Sequence, residues 1–125
     1  MAHQAKKLSF KVTRNEIPVE IEDAAGTVKD YTLREFDGHS RDAYMNQIRD
    51  KAHINAEGNV TGFKTFEGIQ SGLLALCLYD DKRQLVDEKI IQSFPTMMLS
   101  ELFKAAQVLN GLVVSEASKE EVKND

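Results

Sequence analysis

A chain of 125 residues with a net charge of −4 and one cysteine has room for a single hydrophobic core and no means of closing an internal disulfide. The acidic balance gives no general attraction to nucleic acid or to an anionic membrane, and the longest apolar run falls far short of a membrane span. A hydrophobic share of 42% beside 29% charged residues is that of a soluble globular protein, which places a folded domain ahead of a disordered chain.

The first residues, Met1 to Lys7, begin basic but carry no apolar signal core, so the cytosol is the expected compartment. Without a secretion signal, the glycosylation pattern at Asn59-Val60-Thr61 has no weight. The first third of the chain then alternates with period two. Leu8, Phe10 and Val12 against Ser9, Lys11 and Thr13 predict a half-buried strand. Ile17, Val19 and Ile21 against Glu16, Glu20 and Glu22 predict a second, and residues 28–36, with Tyr31 and Leu33 on one face, a third. Asp23-Ala24-Ala25-Gly26 makes the turn between them. Pro18 cannot donate to a ladder, so its strand belongs at a sheet edge or a bulge.

Asp37-Gly38-His39-Ser40 starts a helix, with Ser40 or Asp37 as its cap. Tyr44, Ile48 and Ala52 share one face with Met45 beside them, Arg41, Asn46, Arg49 and Asp50 face water, and His53 closes the helix where its charge suits the dipole. Asn55 to Asn59 is an exposed polar loop. Residues 64–79 predict the central helix, with Phe66, Ile69, Leu73 and Leu76 as one stripe and Leu74, Cys77 and Leu78 on its flanks. Cys77 reads as a small buried hydrophobe. Gly68 and Gly72 each cost about 1 kcal/mol relative to alanine, which points to close approach of another backbone. After a charged turn at Asp80-Asp81-Lys82-Arg83, Asp87 caps a short helix carrying Ile90, Ile91 and Phe94. Pro95 opens the last helix, and Asn110-Gly111 stops it. The expected product is an α+β domain over residues 1–114, with a small N-terminal antiparallel sheet followed by three or four helices. Residues 115–125 read as a disordered polar tail.

Nothing along the way gathers catalytic or metal-binding groups. His3, His39 and His53 are scattered, and His39 beside Asp37 and Asp42 reads as a solvated turn. Asp80, Asp81, Asp87 and Glu88 lack the alternating ligands and terminal glutamate of a calcium loop, and Gln70-Ser71-Gly72 is no nucleophile elbow. No enzyme, metal or cofactor is expected. What the sequence has in surplus is apolar helix surface. In the last helix Met98, Leu102, Ala105 and Leu109 form one row and Leu99, Phe103 and Ala106 the next, with Met97 and Val108 outside both. Each large side chain left in water forgoes roughly 1.5–3 kcal/mol of burial, so an exposed patch of them implies a partner. Met97, Met98, Leu102, Phe103 and Val108 are the candidate partner-binding residues, and methionine suits recognition of varied segments.

The order of these pieces carries a resemblance. It runs through Tyr31-Thr32-Leu33-Arg34-Glu35-Phe36, the helix start Ser40-Arg41-Asp42, the apolar Gly72-Leu73-Leu74-Ala75-Leu76-Cys77-Leu78 and the acidic Asp80-Asp81. It ends in Leu99-Ser100-Glu101-Leu102-Phe103, followed by Leu109-Asn110-Gly111-Leu112. Over about residues 28–113 this resembles the tail assembly chaperones of long-tailed bacteriophages, including the lambda G-like proteins. The strand region ahead of it is longer than that family implies. The resemblance implies a protein of the infected host's cytoplasm that binds the apolar helices of the tape measure protein, helps recruit tail tube subunits, and is absent from the finished virion. It also implies, for many members, a longer frameshifted form, whose divergence would fall after Ser115. No catalytic residue carries over. Helix-in-groove contact through Met, Leu and Phe anchors would serve such a holdase, and a homo-oligomer along a long client would add avidity. A structural virion tail protein, a tube or connector subunit, is the rival class.

Overall fold

The computed structural model describes residues 5–112. Strand β1 (Glu16–Glu22) turns through Asp23, whose Oδ1 accepts the Ala25 and Thr27 N–H groups at 3.0 and 2.9 Å, into β2 (Val28–Arg34). Their antiparallel register sets Ile17 opposite Leu33 and Val19 opposite Tyr31, so the two apolar faces coincide. Helix α1 (Gly38–Lys51) follows, then a hairpin of β3 (Ala52–Ile54) and β4 (Val60–Phe63), helix α2 (Ile69–Cys77), strand β5 (Leu78–Tyr79), helix α3 (Glu88–Gln92) and helix α4 (Thr96–Leu109). The main sheet has the order β1-β2-β5, antiparallel throughout, and the chain is α+β, as the periodicities predict. Pro18 lies on an edge strand, where its missing donor faces outward.

Helix α2 is the hub. It touches β2, α1, α3 and α4, and Leu73, Leu74 and Cys77 are sealed with Leu33, Leu78 and Ile91. Both short-range caps fall where the sequence puts them: Asp37 accepts the Ser40 N–H at 2.9 Å, and Asp87 accepts the Lys89 N–H at 2.8 Å. At the sheet's outer face, the Glu16 carboxylate accepts from Arg83 at 2.9 Å, which holds its pKa below the usual carboxylate range. Arg34 Nε approaches the same oxygen to 3.3 Å without hydrogen-bond geometry. Among the described residues no helix is long and apolar enough to cross a membrane.

Four expectations are corrected. Residues 5–13 form no strand: Leu8, Phe10 and Val12 stand exposed, because among the described residues no neighbouring strand takes up their backbone. Helix α1 ends two residues before His53, which lies exposed in β3. The Asn55 side chain accepts the Glu57 and Asn59 N–H groups and so folds the loop into a hairpin turn. The central helix begins at Ile69 rather than near residue 64, since Gly68 takes the left-handed conformation (φ 75°) at its N-cap and leaves Phe66 outside it. A Cβ at Gly72 would meet the Gln47 side-chain oxygen at 2.6 Å, so a side chain and not a backbone makes the close approach. The expected tail after Ser115 lies outside the described residues.

Candidate functional site

A groove of about 880 Å³ lies between α1, the β4–α2 connection, the start of α2, and α4. Its apolar walls come from separate parts of the chain. Met45 and Ile48 of α1 stand one turn or less apart, Phe63 ends β4, Phe66 lies on the connecting loop, and Leu99 and Phe103 face it from α4. Phe63 and Phe66 lean on one another at 5.8 Å between ring centroids, tilted by 49°. Phe66 is nevertheless 76% exposed, on the lip of the groove. Its position follows from the loop: Thr65 Oγ1 accepts the Glu67 N–H at 3.1 Å, and the Ile69 N–H returns to the Phe66 carbonyl at 3.3 Å.

The floor is fixed by Tyr44, whose hydroxyl donates to the Ile69 carbonyl at 3.1 Å and so ties α1 to the first turn of α2. Burial, with the neighbouring Cys77, pushes the Tyr44 phenol up to about 12, so it remains a neutral donor. Polar groups stay on the margin. Ser71 Oγ donates to Glu88 Oε2 at 2.9 Å, and Gln92 Nε2 reaches both at 3.4 Å. Gln70 and Gln107 add amides to the rim, and Glu67 adds one carboxylate, around an aromatic interior. That arrangement suits reversible packing of apolar side chains. It offers no convergent acid, base and nucleophile. Asp37, the carboxylate nearest His39 in sequence, is committed to capping α1, and the Ser40 N–H holds its pKa down. Among the described residues, no three His, Cys, Asp or Glu side chains are grouped to hold a metal ion.

The five residues expected to bind a partner do not share a surface. Leu102 is 8% exposed and belongs to the core, with Met98 packed beside it. Phe103 alone of the five lines the groove. Met97 and Val108, 75% and 68% exposed, lie on the opposite, outward side of α4. Eleven residues bring them back to nearly the same azimuth, about 16 Å apart along the axis. Between them on that stripe stand Glu101 and Lys104, paired at 3.8 Å, so the outward methionine and valine are separate spots and not a patch. Sequence reasoning missed Met45, Phe63, Phe66 and Leu99 as groove residues. The one available signal was Phe66, an aromatic two residues ahead of Gly68, at which a helix can be made to start late.

Comparison with family models, with curated proteins and with solved structures finds no match to this chain.

Proposed function

We propose that this protein is a non-enzymatic binding protein of the infected host's cytoplasm, a bacteriophage tail assembly chaperone that shields apolar helical stretches of the tape measure protein and helps bring tail tube subunits to it. One observation carries this reading: the groove whose walls are Met45, Ile48, Phe63, Phe66, Leu99 and Phe103 and whose margin carries the amides of Gln70, Gln92 and Gln107 with the Glu67 carboxylate beside them. Its volume of about 880 Å³ takes several large side chains at once. An amphipathic helix presents such anchors at i, i+3, i+4 and i+7. Aromatic walls with a methionine among them adapt to non-identical anchors, as a client with many apolar faces requires. The resemblance of residues 28–113 to tail assembly chaperones suggests this client, and the groove supports a role in binding apolar helices.

The test is binding of peptides from apolar helical stretches of a phage tape measure protein, followed by fluorescence anisotropy. Phe66→Asp and Phe103→Asp should each weaken capture by at least about tenfold, since a charge replaces an apolar wall. Their circular dichroism should match the parent. Unchanged affinity in both variants removes the groove from the reading. Recovery of the protein in purified virions would move it to the rival class, a tube or connector subunit.

A further inference from the structure

The segment before β1 and the outer edge of β1 are both incomplete, and their chemistry is complementary. Leu8, Phe10 and Val12 stand in water, Phe10 at 84% exposure, with Lys7, Ser9, Lys11 and Thr13 alternating between them. No acidic residue precedes Glu16. Residues 1–15 therefore carry +4 from Lys6, Lys7, Lys11 and Arg14, leaving −8 on the rest of a chain whose total is −4. Among the described residues, strand β1 is an edge strand. Its inward ladder is extended by the Glu35 N–H donating to the Asn15 carbonyl at 2.8 Å, so odd-numbered residues bond to β2. The backbone groups of Glu16, Pro18, Glu20 and Glu22 then face outward. Ile17 and Val19 pack against the core, while Glu20 and Glu22 point the other way and enter no ion pair among the described residues.

We propose that residues 7–13 of one copy add as an antiparallel strand to the free edge of β1 in a second copy, reciprocally, about a two-fold axis between Arg14 and Asn15. In that register Leu8 lies opposite Ile21, Phe10 opposite Val19 and Val12 opposite Ile17, joining the apolar faces of the two copies. Lys7 faces Glu22, and Lys11 lies diagonal to Glu20. A slip of one residue turns Leu8, Phe10 and Val12 onto the glutamate face, so the pattern selects the register. Pro18, opposite Lys11, removes one ladder bond and leaves the others.

The same pairs would form if the segment folded back on its own β1 through a tight turn at Arg14-Asn15. The structure holds those two residues in line with β1 instead. Asn15 N–H donates to Glu35 Oε1 at 3.1 Å, its carbonyl accepts from Glu35, and Arg14 reaches Asp37 at 3.5 Å. These contacts carry the segment past the end of its own sheet, which makes a second copy the occupant. The proposal is independent of what the groove binds.

The test is the full chain with Phe10→Cys and Val19→Cys together, oxidised and run without reductant. Positions 10 and 19 would form a non-hydrogen-bonded pair, the closer kind, at a separation that suits a disulfide. The native Cys77 is buried. Strand exchange gives a covalent dimer. A closed monomer means that the segment folds back on itself, and absence of any cross-link means that it lies elsewhere; either overturns the proposal. Sedimentation velocity of the unmodified chain should show a dimer. Phe10→Asp should raise its dissociation constant at least about 100-fold. Lys7→Glu should raise it about tenfold, with recovery when Glu22→Lys is added. A monomeric parent, or a dimer that Phe10→Asp leaves intact, sinks the idea.

Discussion

Helix α4 has two sides that look alike in composition and differ in every physical respect. The inner side brings Leu102, Ala106 and Asn110 against α2 and the β2–α1 link, with nothing exposed. The outer side offers Met97 and Val108 to water, interrupted by the Glu101–Lys104 pair. Hydrophobic residues occur on both, so composition does not distinguish a core from a surface. What distinguishes them is whether neighbouring elements close over them, and whether the polar group among them is satisfied internally or by solvent.

Asn110 is the sharpest instance on the inner side. Its Oδ1 accepts the buried Phe36 N–H at 2.8 Å, and its Nδ2 donates to the Ala106 carbonyl at 2.8 Å and to Cys77 Sγ at 3.3 Å. One amide thus joins α4, the β2–α1 link and α2. Asn110→Ala orphans the Phe36 donor and leaves a small void, so we expect a loss of about 3 kcal/mol in chemical denaturation, the largest single effect here. An unchanged midpoint would mean that the inner side is held by apolar packing alone.

The same seam predicts a failure at high pH. Burial pushes the Cys77 thiol from 9.0 to about 11, partly opposed by the Asn110 hydrogen bond, and the Tyr44 phenol from 10.0 to about 12. For both, the folded state keeps its proton when the unfolded chain has lost it. Their contribution is fully present below pH 9, declines as the pH passes the unfolded values, and is gone above the folded ones. Each of these displacements is worth on the order of 2–3 kcal/mol over its part of that window, read as a drop in melting temperature. Cys77→Ala should flatten the lower half of the decline.

How much of this was legible in the sequence depended on how local the cause was. Pairing of β1 with β2, the edge position of Pro18, the Asp37 and Asp87 caps and the centrality of Leu73, Leu74 and Cys77 follow from alternation, ring geometry and side-chain reach over a few residues. Leu8, Phe10 and Val12 alternate just as well, yet whether a strand forms depends on a partner's backbone, which alternation does not encode. The β3–β4 hairpin was hidden because Val60 to Phe63 is short and carries Gly62, while its turn signal, Asn55 with Gly58, looked like an ordinary loop. Asn110 announced a helix stop and gave no sign of its three buried partners. The groove was the least legible of all, being assembled from Met45, Phe66 and Phe103, which no single period connects.

The smallest predicted effect tests the outer side directly. Met97→Asp places a carboxylate in the first turn of α4, where the helix dipole favours it and where the N-cap, Pro95, makes no side-chain bond. Its side chain is already 75% in water, so little burial is lost. Stability should move by no more than about 0.5 kcal/mol in either direction. On the proposed function, affinity for a tape measure peptide should hold steady too, because Met97 faces away from the groove that Phe103 lines. Measured beside Phe103→Asp, this variant separates the two surfaces of one helix. Loss of capture with Phe103→Asp alone assigns recognition to the groove side. Loss with Met97→Asp alone would reassign it to the outward stripe, across an ion pair that any client would then have to cover or displace.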